Sequence, residues 1–295
     1  MILQIADIVL NLSEKCFLSE FQFPGKEYAI ESSRKNSMPD EKNQIYIKPD
    51  KNKIMAEEAQ CSSKLIYVGK EPFYPDKLYL QNEKFYYIHH NTANQPCLVY
   101  KIDAAWKNID IIFDETNTAG RYAFEYLTKI IPFIFLEFQA LVIHGALMEY
   151  DNKGIILSAP SGTGKSTHAH FWRDNYRGLI INGDRSLCRK KDGIWTGYGM
   201  PWCGSSGEYI NRDVPIRAIV VLQQAEENEV RLLTPLEGFQ RMYENLVLPQ
   251  WDKEKVNQGL DLFDDMLANI PVYLLKCRPE AEAAAVLKRE IDKLL

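Results

Sequence analysis

The run Ser158-Ala159-Pro160-Ser161-Gly162-Thr163-Gly164-Lys165-Ser166-Thr167 has the residue types and spacing that chemistry on phosphates requires. It follows the pattern GxxxxGK[ST], with Ala159 where the pattern has its first glycine. Gly162 and Gly164 let the backbone bend so that its N–H groups converge on phosphate oxygens. The helix expected next adds the partial positive charge of its N-terminus. Lys165 is long enough to reach the β- and γ-phosphates of a nucleotide, and the Ser166 hydroxyl is placed to ligate Mg²⁺. Ser161, Thr163 and Thr167 complete the cradle. Alanine at 159 is compatible with such a bend only where φ is negative.

Two further residues stand close to this loop in the expected fold. Centring the turn of the hairpin ahead of the loop between Asn152 and Lys153 sets His144 opposite Ser161. A histidine there can move a proton or bond a phosphate oxygen; the competing role is a core histidine bonded to backbone. Asp184 ends the next expected strand, 184 − 165 = 19 residues after the lysine. A carboxylate at that strand end is a second Mg²⁺ anchor or a base for an attacking hydroxyl. The competing reading is an Asp in a Gly-Asp turn. Arg185, Glu208 and Arg212 are weaker candidates, and the small-residue stretch 197–208 is a loop able to approach a ligand closely. His168 and His170 fall just inside the expected helix, as exposed or supporting groups. His89 and His90 are neighbours in a strand and face opposite ways.

These residues need a strand before the loop and a helix after it. Apolar runs at 141–150 and 154–158, joined by Asp151-Asn152-Lys153-Gly154, predict a hairpin. A helix is expected over 165–176 and strands over 178–182, 216–223, 230–233 and 271–277. Further helices are expected over 236–246, 252–267 and 280–295, the last opened by Pro279. Residues 118–140 predict one connecting helix, kinked or broken at Pro132, and 130–143 reads as a buried helix too interrupted to span a membrane. The first ~110 residues, with short runs at 44–47, 65–68, 85–89, 97–102 and 109–113 between turn residues, are read as β-rich. The polar stretch 32–53 is read in part as a loop.

The 295 residues are 46% apolar and 25% charged, enough for a substantial core. A net charge of −5 argues against a dedicated nucleic-acid binder, which needs a basic footprint. Six cysteines include no CxxC pair, so neither a zinc site nor a dithiol motif is indicated, and the thiols read as reduced and cytoplasmic. Gln4 and Asp7 interrupt the apolar start, unlike a signal peptide.

The run IHGALMEYDNKGIILSAPSGTGKSTHAHFW, followed by LIINGD, resembles the catalytic domain of HPr kinase/phosphorylase, and its SGTGKST core is similar to ATP-type phosphoenolpyruvate carboxykinase. The resemblance covers about residues 141–220 and thinly the rest. It implies an α/β fold: a P-loop-containing HPr kinase/phosphoenolpyruvate carboxykinase-like catalytic domain over 118–295, preceded by a small β-rich domain over 1–117. It implies Lys165 and Ser166 at the phosphate and metal positions, His144 as the family histidine, and Asp184 as one of an adjacent Asp pair. The other member of that pair is Gly183 here, and the HPr kinase signature downstream is absent.

The expected activity is therefore Mg²⁺-ATP-dependent phosphoryl transfer to a hydroxyl acceptor, either a protein or peptide serine or a small molecule. Lys165, Asp184 and His144 carry the catalysis, residues 161–167 hold the ATP, and Ser166 and Asp184 hold the metal. The alternatives are a carboxykinase-like enzyme and a non-catalytic nucleotide sensor. No nucleic acid or membrane partner is expected; a homo-oligomer is compatible with the reading.

Overall fold

The computed structural model describes residues 1–13, 26–30, 41–50, 63–69, 75–113, 123–160 and 162–294. It divides into an N-terminal unit, Met1–Phe138 with Gln250–Lys253, and a C-terminal unit, Gln139–Pro249 with Glu254–Leu295.

The N-terminal unit is built on β1 (Ile2–Ile5), β2 (Ile8–Leu12), β3 (Gln44–Pro49), β4 (Lys64–Val68), β5 (Lys77–Gln81), β6 (Lys84–His90), β7 (Pro96–Ile102) and β8 (Asn108–Phe113). They form one sheet in the order β1-β2-β3-β8-β7-β6-β5-β4. Two-residue turns make its tight hairpins. Ala6 and Asp7, and again Asn82 and Glu83, take positive φ, as the twist of adjoining antiparallel strands demands. A buried carboxylate, Asp76, is held by the Tyr87 hydroxyl at 3.0 Å and by His89 Nδ1 at 2.5 Å. Of the polar stretch 32–53, residues 32–40 and 51–53 lie outside the described residues, and the rest includes β3.

The expected connecting helix is not continuous. Residues 118–122 lie outside the described residues, and α1 (Ala123–Tyr126) passes through a 3-10 turn (Leu127–Lys129) into α2 (Ile131–Leu136). Pro132 occupies the first turn of α2, where its missing N–H costs nothing, so the break falls before it. The apolar stretch 130–143 is thus part helix and part strand, since β9 already begins at Ala140.

The C-terminal unit contains β9 (Ala140–Tyr150), β10 (Lys153–Ser158), α3 (Lys165–Tyr176), β11 (Leu179–Asn182), β12 (Arg185–Lys191), β13 (Ile194–Tyr198), β14 (Asp213–Gln224), β15 (Glu229–Leu232), α4 (Pro235–Met242), α5 (Lys253–Asn269), β16 (Val272–Cys277) and α6 (Ala281–Ile291). The pairing runs β10-β9-β12-β13-β14-β16-β15, and β10 also pairs β14, closing a ring through β9, β12, β13, β14 and β10. β10, β14 and β16 are mutually parallel and end on one edge. The chain is therefore a mixed α/β protein with two sheets, β-rich at its N-terminal end and α/β at its C-terminal end. Apolar residues of β9, β10, β14 and β16 bury the inner faces of α3 and α6, including Trp172, Ala284 and Leu287.

Three details depart from the sequence reading. β12 and β13 were not anticipated; Arg185, Arg189, Lys190 and Lys191 give this stretch no clean alternation. The β9–β10 turn is centred on Asp151 and Asn152, both at positive φ, with Tyr150 opposite Lys153. That is one residue earlier than expected, because Asp and Asn tolerate left-handed backbone and Lys153 does not need to. Finally, Pro279 precedes the cap residue Glu280 of α6 instead of opening the helix.

Candidate functional site

β9 changes partners at one point, and the site forms there. Its first half pairs β12, with His144 opposite Arg185; its second half pairs β10, with Gly145 opposite Ser158. A Cβ at 145 would sit 2.9 Å from the Leu157 carbonyl oxygen, so only glycine permits the crossing. Ser158 Oγ donates to the His144 carbonyl at 3.0 Å, and Gly145 N–H donates to the Asp184 carbonyl at 2.9 Å. The loop, the histidine and the aspartate are thus tied to one strand.

Buried Ile155, Ile156 and Leu157 carry the chain into the loop. Ala159 is buried and keeps a negative φ, the condition under which alanine fits. Gly162 and Gly164 take φ of 79° and 113°, and a Cβ on either would meet nothing within 4 Å. Glycine is needed there for its dihedrals, with open space above. The earliest bond of α3 runs from His168 N–H to Gly164 O at 2.9 Å, so the amides of 165, 166 and 167 lie ahead of the helical ladder. Lys165 is buried, and its Nζ donates to Ala159 O at 2.8 Å and Pro160 O at 3.4 Å. Burial lowers its pKa, opposed by the charge of Asp184.

An open cleft of about 290 Å³ is lined by His144, Gly162, Gly164, Lys165, Ser166, Thr167, Gly183, Asp184, Ser205 and Ser206. Among the expected residues, Thr163 lines a neighbouring cavity instead, and Ser161 lies outside the described residues. His144 Nε2 is 3.5 Å from Asp184 Oδ1, and Arg185 Nε is 3.4 Å from Asp184 Oδ2. Burial, then the Lys165 charge, lowers the His144 pKa, while Asp184 pulls the other way. The hairpin register places His144 one step past the end of β10, beside Ala159 and not Ser161.

Asn182 was not anticipated. It is fully buried; its Oδ1 accepts from Asp184 N–H at 3.0 Å and Arg185 N–H at 2.8 Å. Its Nδ2 donates to Met200 O at 2.9 Å and Trp202 O at 3.2 Å. One side chain therefore forms the Asp184 turn and anchors the small-residue loop to it. The signal for it was Asn two residues before Asp, the pattern of an Asx-turn. In that loop, Gly204 at φ 58° packs on Asp184, where a Cβ would lie 2.5 Å from Oδ2. At Gly183 a Cβ would lie 2.4 Å from Ser206 Oγ. The space that a side chain at 183 would need is thus filled by Ser206, whose hydroxyl donates to Cys203 O at 2.7 Å.

The weaker candidates fall elsewhere. Glu208 accepts from Arg173 at 3.2 Å and pairs His170 at 2.9 Å, joining the loop to α3. Arg212 forms a two-pronged pair with Glu149. Of the two roles expected for His168, exposed or supporting, it is not the exposed one: α3 turns it inward beside Trp172.

No group of three or more His, Cys, Asp or Glu able to hold a metal occurs among the described residues. Magnesium does not need one: it keeps several waters and takes one or two protein oxygens plus phosphates. Ser166 and Asp184 both line the cleft, and a hydroxyl and a carboxylate are of that donor type. No helix among the described residues is long and apolar enough to cross a membrane.

Fold and site together define a mixed α/β protein with a glycine-bearing strand–loop–helix and a His–Asp pair at its mouth. A family model described as SynChlorMet cassette protein ScmC matches residues 125–295, more than half of the chain, and the chain belongs to that family. No curated protein matches it. Among solved structures it is similar to the HPr(Ser) kinase/phosphatase from Coxiella burnetii, at 10% identity and a TM-score of 0.32, over 52% of this chain and 92% of that one. A likeness that loose carries no chemistry.

Proposed function

We propose that the C-terminal unit is a Mg²⁺- and nucleoside-triphosphate-dependent phosphotransferase acting on a hydroxyl acceptor. The observation that carries this is the single cleft shared by the first-turn residues of α3, Lys165, His144 and Asp184. The amides of 165–167 and the α3 terminus hold the polyphosphate. Lys165 Nζ exchanges its two loop carbonyls for phosphate oxygens, acceptor for acceptor. Ser166 and Asp184 hold magnesium, which when bound offsets the charge of the phosphoryl group in flight. Asp184 or His144 takes the proton of the acceptor hydroxyl, and Ser205 and Ser206 border the space for that acceptor. Positioning and electrostatics account for most of such catalysis, so few residues suffice.

A second reading, a nucleotide sensor without turnover, is favoured by one feature: Ser206 fills the space that a second carboxylate at 183 would need. Incubating the purified protein with MgATP, with and without serine, seryl peptides and polyols, and measuring ADP separates the two. Acceptor-stimulated ADP supports the phosphotransferase. Stoichiometric binding without turnover supports the sensor. No magnesium-dependent binding of any nucleotide overturns both.

A further inference from the structure

Three stretches of chain line the cleft: the phosphate loop with the first turn of α3, the Asp184 turn with His144, and Ser205 with Ser206. The third stretch belongs to a loop fixed at both stems. Asn182 Nδ2 holds Met200 O and Trp202 O on one side, and Gly183 N–H donates to Glu208 O at 3.0 Å on the other. Between the stems the tip is a single 3-10 turn, Gly204–Ser206, followed by Gly207 at φ 68°. The tip therefore has a set place beside Asp184: Gly204 packs against that carboxylate, and Ser205 is the next residue.

The tip carries two hydroxyls, and they are not equivalent. Ser206 Oγ donates to Cys203 O at 2.7 Å and accepts from Glu208 N–H at 3.3 Å, so it serves the turn. Ser205 is exposed, and its hydroxyl makes no hydrogen bond among the described residues. The other hydroxyls of the cleft, on Ser166 and Thr167, belong to the helix turn read as the phosphate cradle. Phosphoryl transfer sets the attacking and leaving oxygens roughly in line across the phosphorus, so the attacking hydroxyl is best supplied by an element other than the one that holds the phosphates. Ser205 meets that condition. It also needs no capture from solution, which removes the entropic cost of bringing two reactants together.

We infer that Ser205 is a site of self-phosphorylation, an acceptor that the chain carries in its own cleft. This rests on the phosphotransferase reading above and adds a means of regulation to it. Ser205 Oγ forms a bond to the γ-phosphorus of MgATP as the bond from that phosphorus to the β,γ-bridging oxygen breaks. The bridging oxygen keeps the electron pair and leaves on ADP, and the hydroxyl proton passes to Asp184 or His144. The product is a serine phosphate whose negative charge stays in the cleft with Lys165 and fills the space for an outside hydroxyl. The cleft thus closes itself after one turnover unless an outside acceptor is phosphorylated first.

The test incubates the full chain with MgATP and no other acceptor, beside Ser205→Ala, Ser205→Thr and Lys165→Ala, and follows intact mass, fragment-ion mapping and ADP release. One phosphoryl group per chain should appear on Ser205, with ADP released in equal amount. The rate per chain should hold across about a tenfold dilution, as for a group held in the same molecule. The phosphoryl group should be lost in Ser205→Ala and Lys165→Ala and return in Ser205→Thr, which rules out a folding defect as the cause of the loss. Phosphate mapped to other residues, equal labelling of Ser205→Ala, or a rate that falls with dilution overturns the inference. Acceptor-stimulated ADP release from chains that carry no phosphate on Ser205 also overturns it and leaves the phosphotransferase reading standing. Absence of ADP release both with and without outside acceptors overturns both.

Discussion

Ser206 stands where Gly183 would carry a side chain: an added Cβ would lie 2.4 Å from its hydroxyl and 2.6 Å from its β-carbon. Introducing an aspartate by Gly183→Asp should therefore cost about 1–3 kcal/mol through overpacking. Combining it with Ser206→Gly should return much of that loss. Urea denaturation of the two single variants and the double variant measures the coupling; additive losses would show that the two positions do not compete for space.

Lys165→Ala tests the phosphate cradle. The Nζ bonds only loop carbonyls, so unfolding stability should change little. MgATP affinity should drop about tenfold or more, since a charge-assisted contact to phosphate is worth about 1.5–3 kcal/mol. Calorimetry with the variant checks this, and unchanged affinity would remove the lysine from the site.

Asn182→Ala leaves two buried carbonyls and two turn amides without their partner. The cost should be about 2–4 kcal/mol, near the upper end for buried unsatisfied groups. Hydrogen exchange should rise at 184–185 and 200–204 first. Protection kept at those amides would show that another group holds the turn.

His168 gives a pH dependence with a definite sign. Burial lowers its pKa to about 4, against 6.5 for an open imidazole. Between those values the unfolded chain binds the proton and the folded chain does not, so stability rises with pH across that window. It is fully present above about pH 6.5 and is lost as pH falls toward 4, by about 3 kcal/mol in all. Denaturation at pH 7 and pH 5 should show the loss, and His168→Gln should flatten it.

Sequence pattern exposed some elements more than others. The β9–β10 hairpin, α3 and the strand ends at 182 and 277 were legible because uninterrupted apolar runs met turn residues there. β12 and β13 were not, because a run of basic residues and the glycine at 197 mask alternation, and their outer partners, β9 for β12 and β14 for β13, lie elsewhere in the chain. Helices at 123–136 were read as one because hydrophobicity marks burial but not the short breaks between turns. At the site, the loop, His144 and Asp184 could be picked out by residue type. Asn182, Ser205 and Ser206 could not, since their roles arise from a loop folding back over the Asp184 turn.

The exchange of partners by β9 at His144 and Gly145 makes the site dependent on alignment more than on any one group. Sliding that strand by a single residue would turn the imidazole to the opposite face and cut the tether to Ser158, with every side chain still present. Deleting one residue from the Asp151–Asn152 bend should thus silence the cleft completely, where trimming individual side chains would only weaken it.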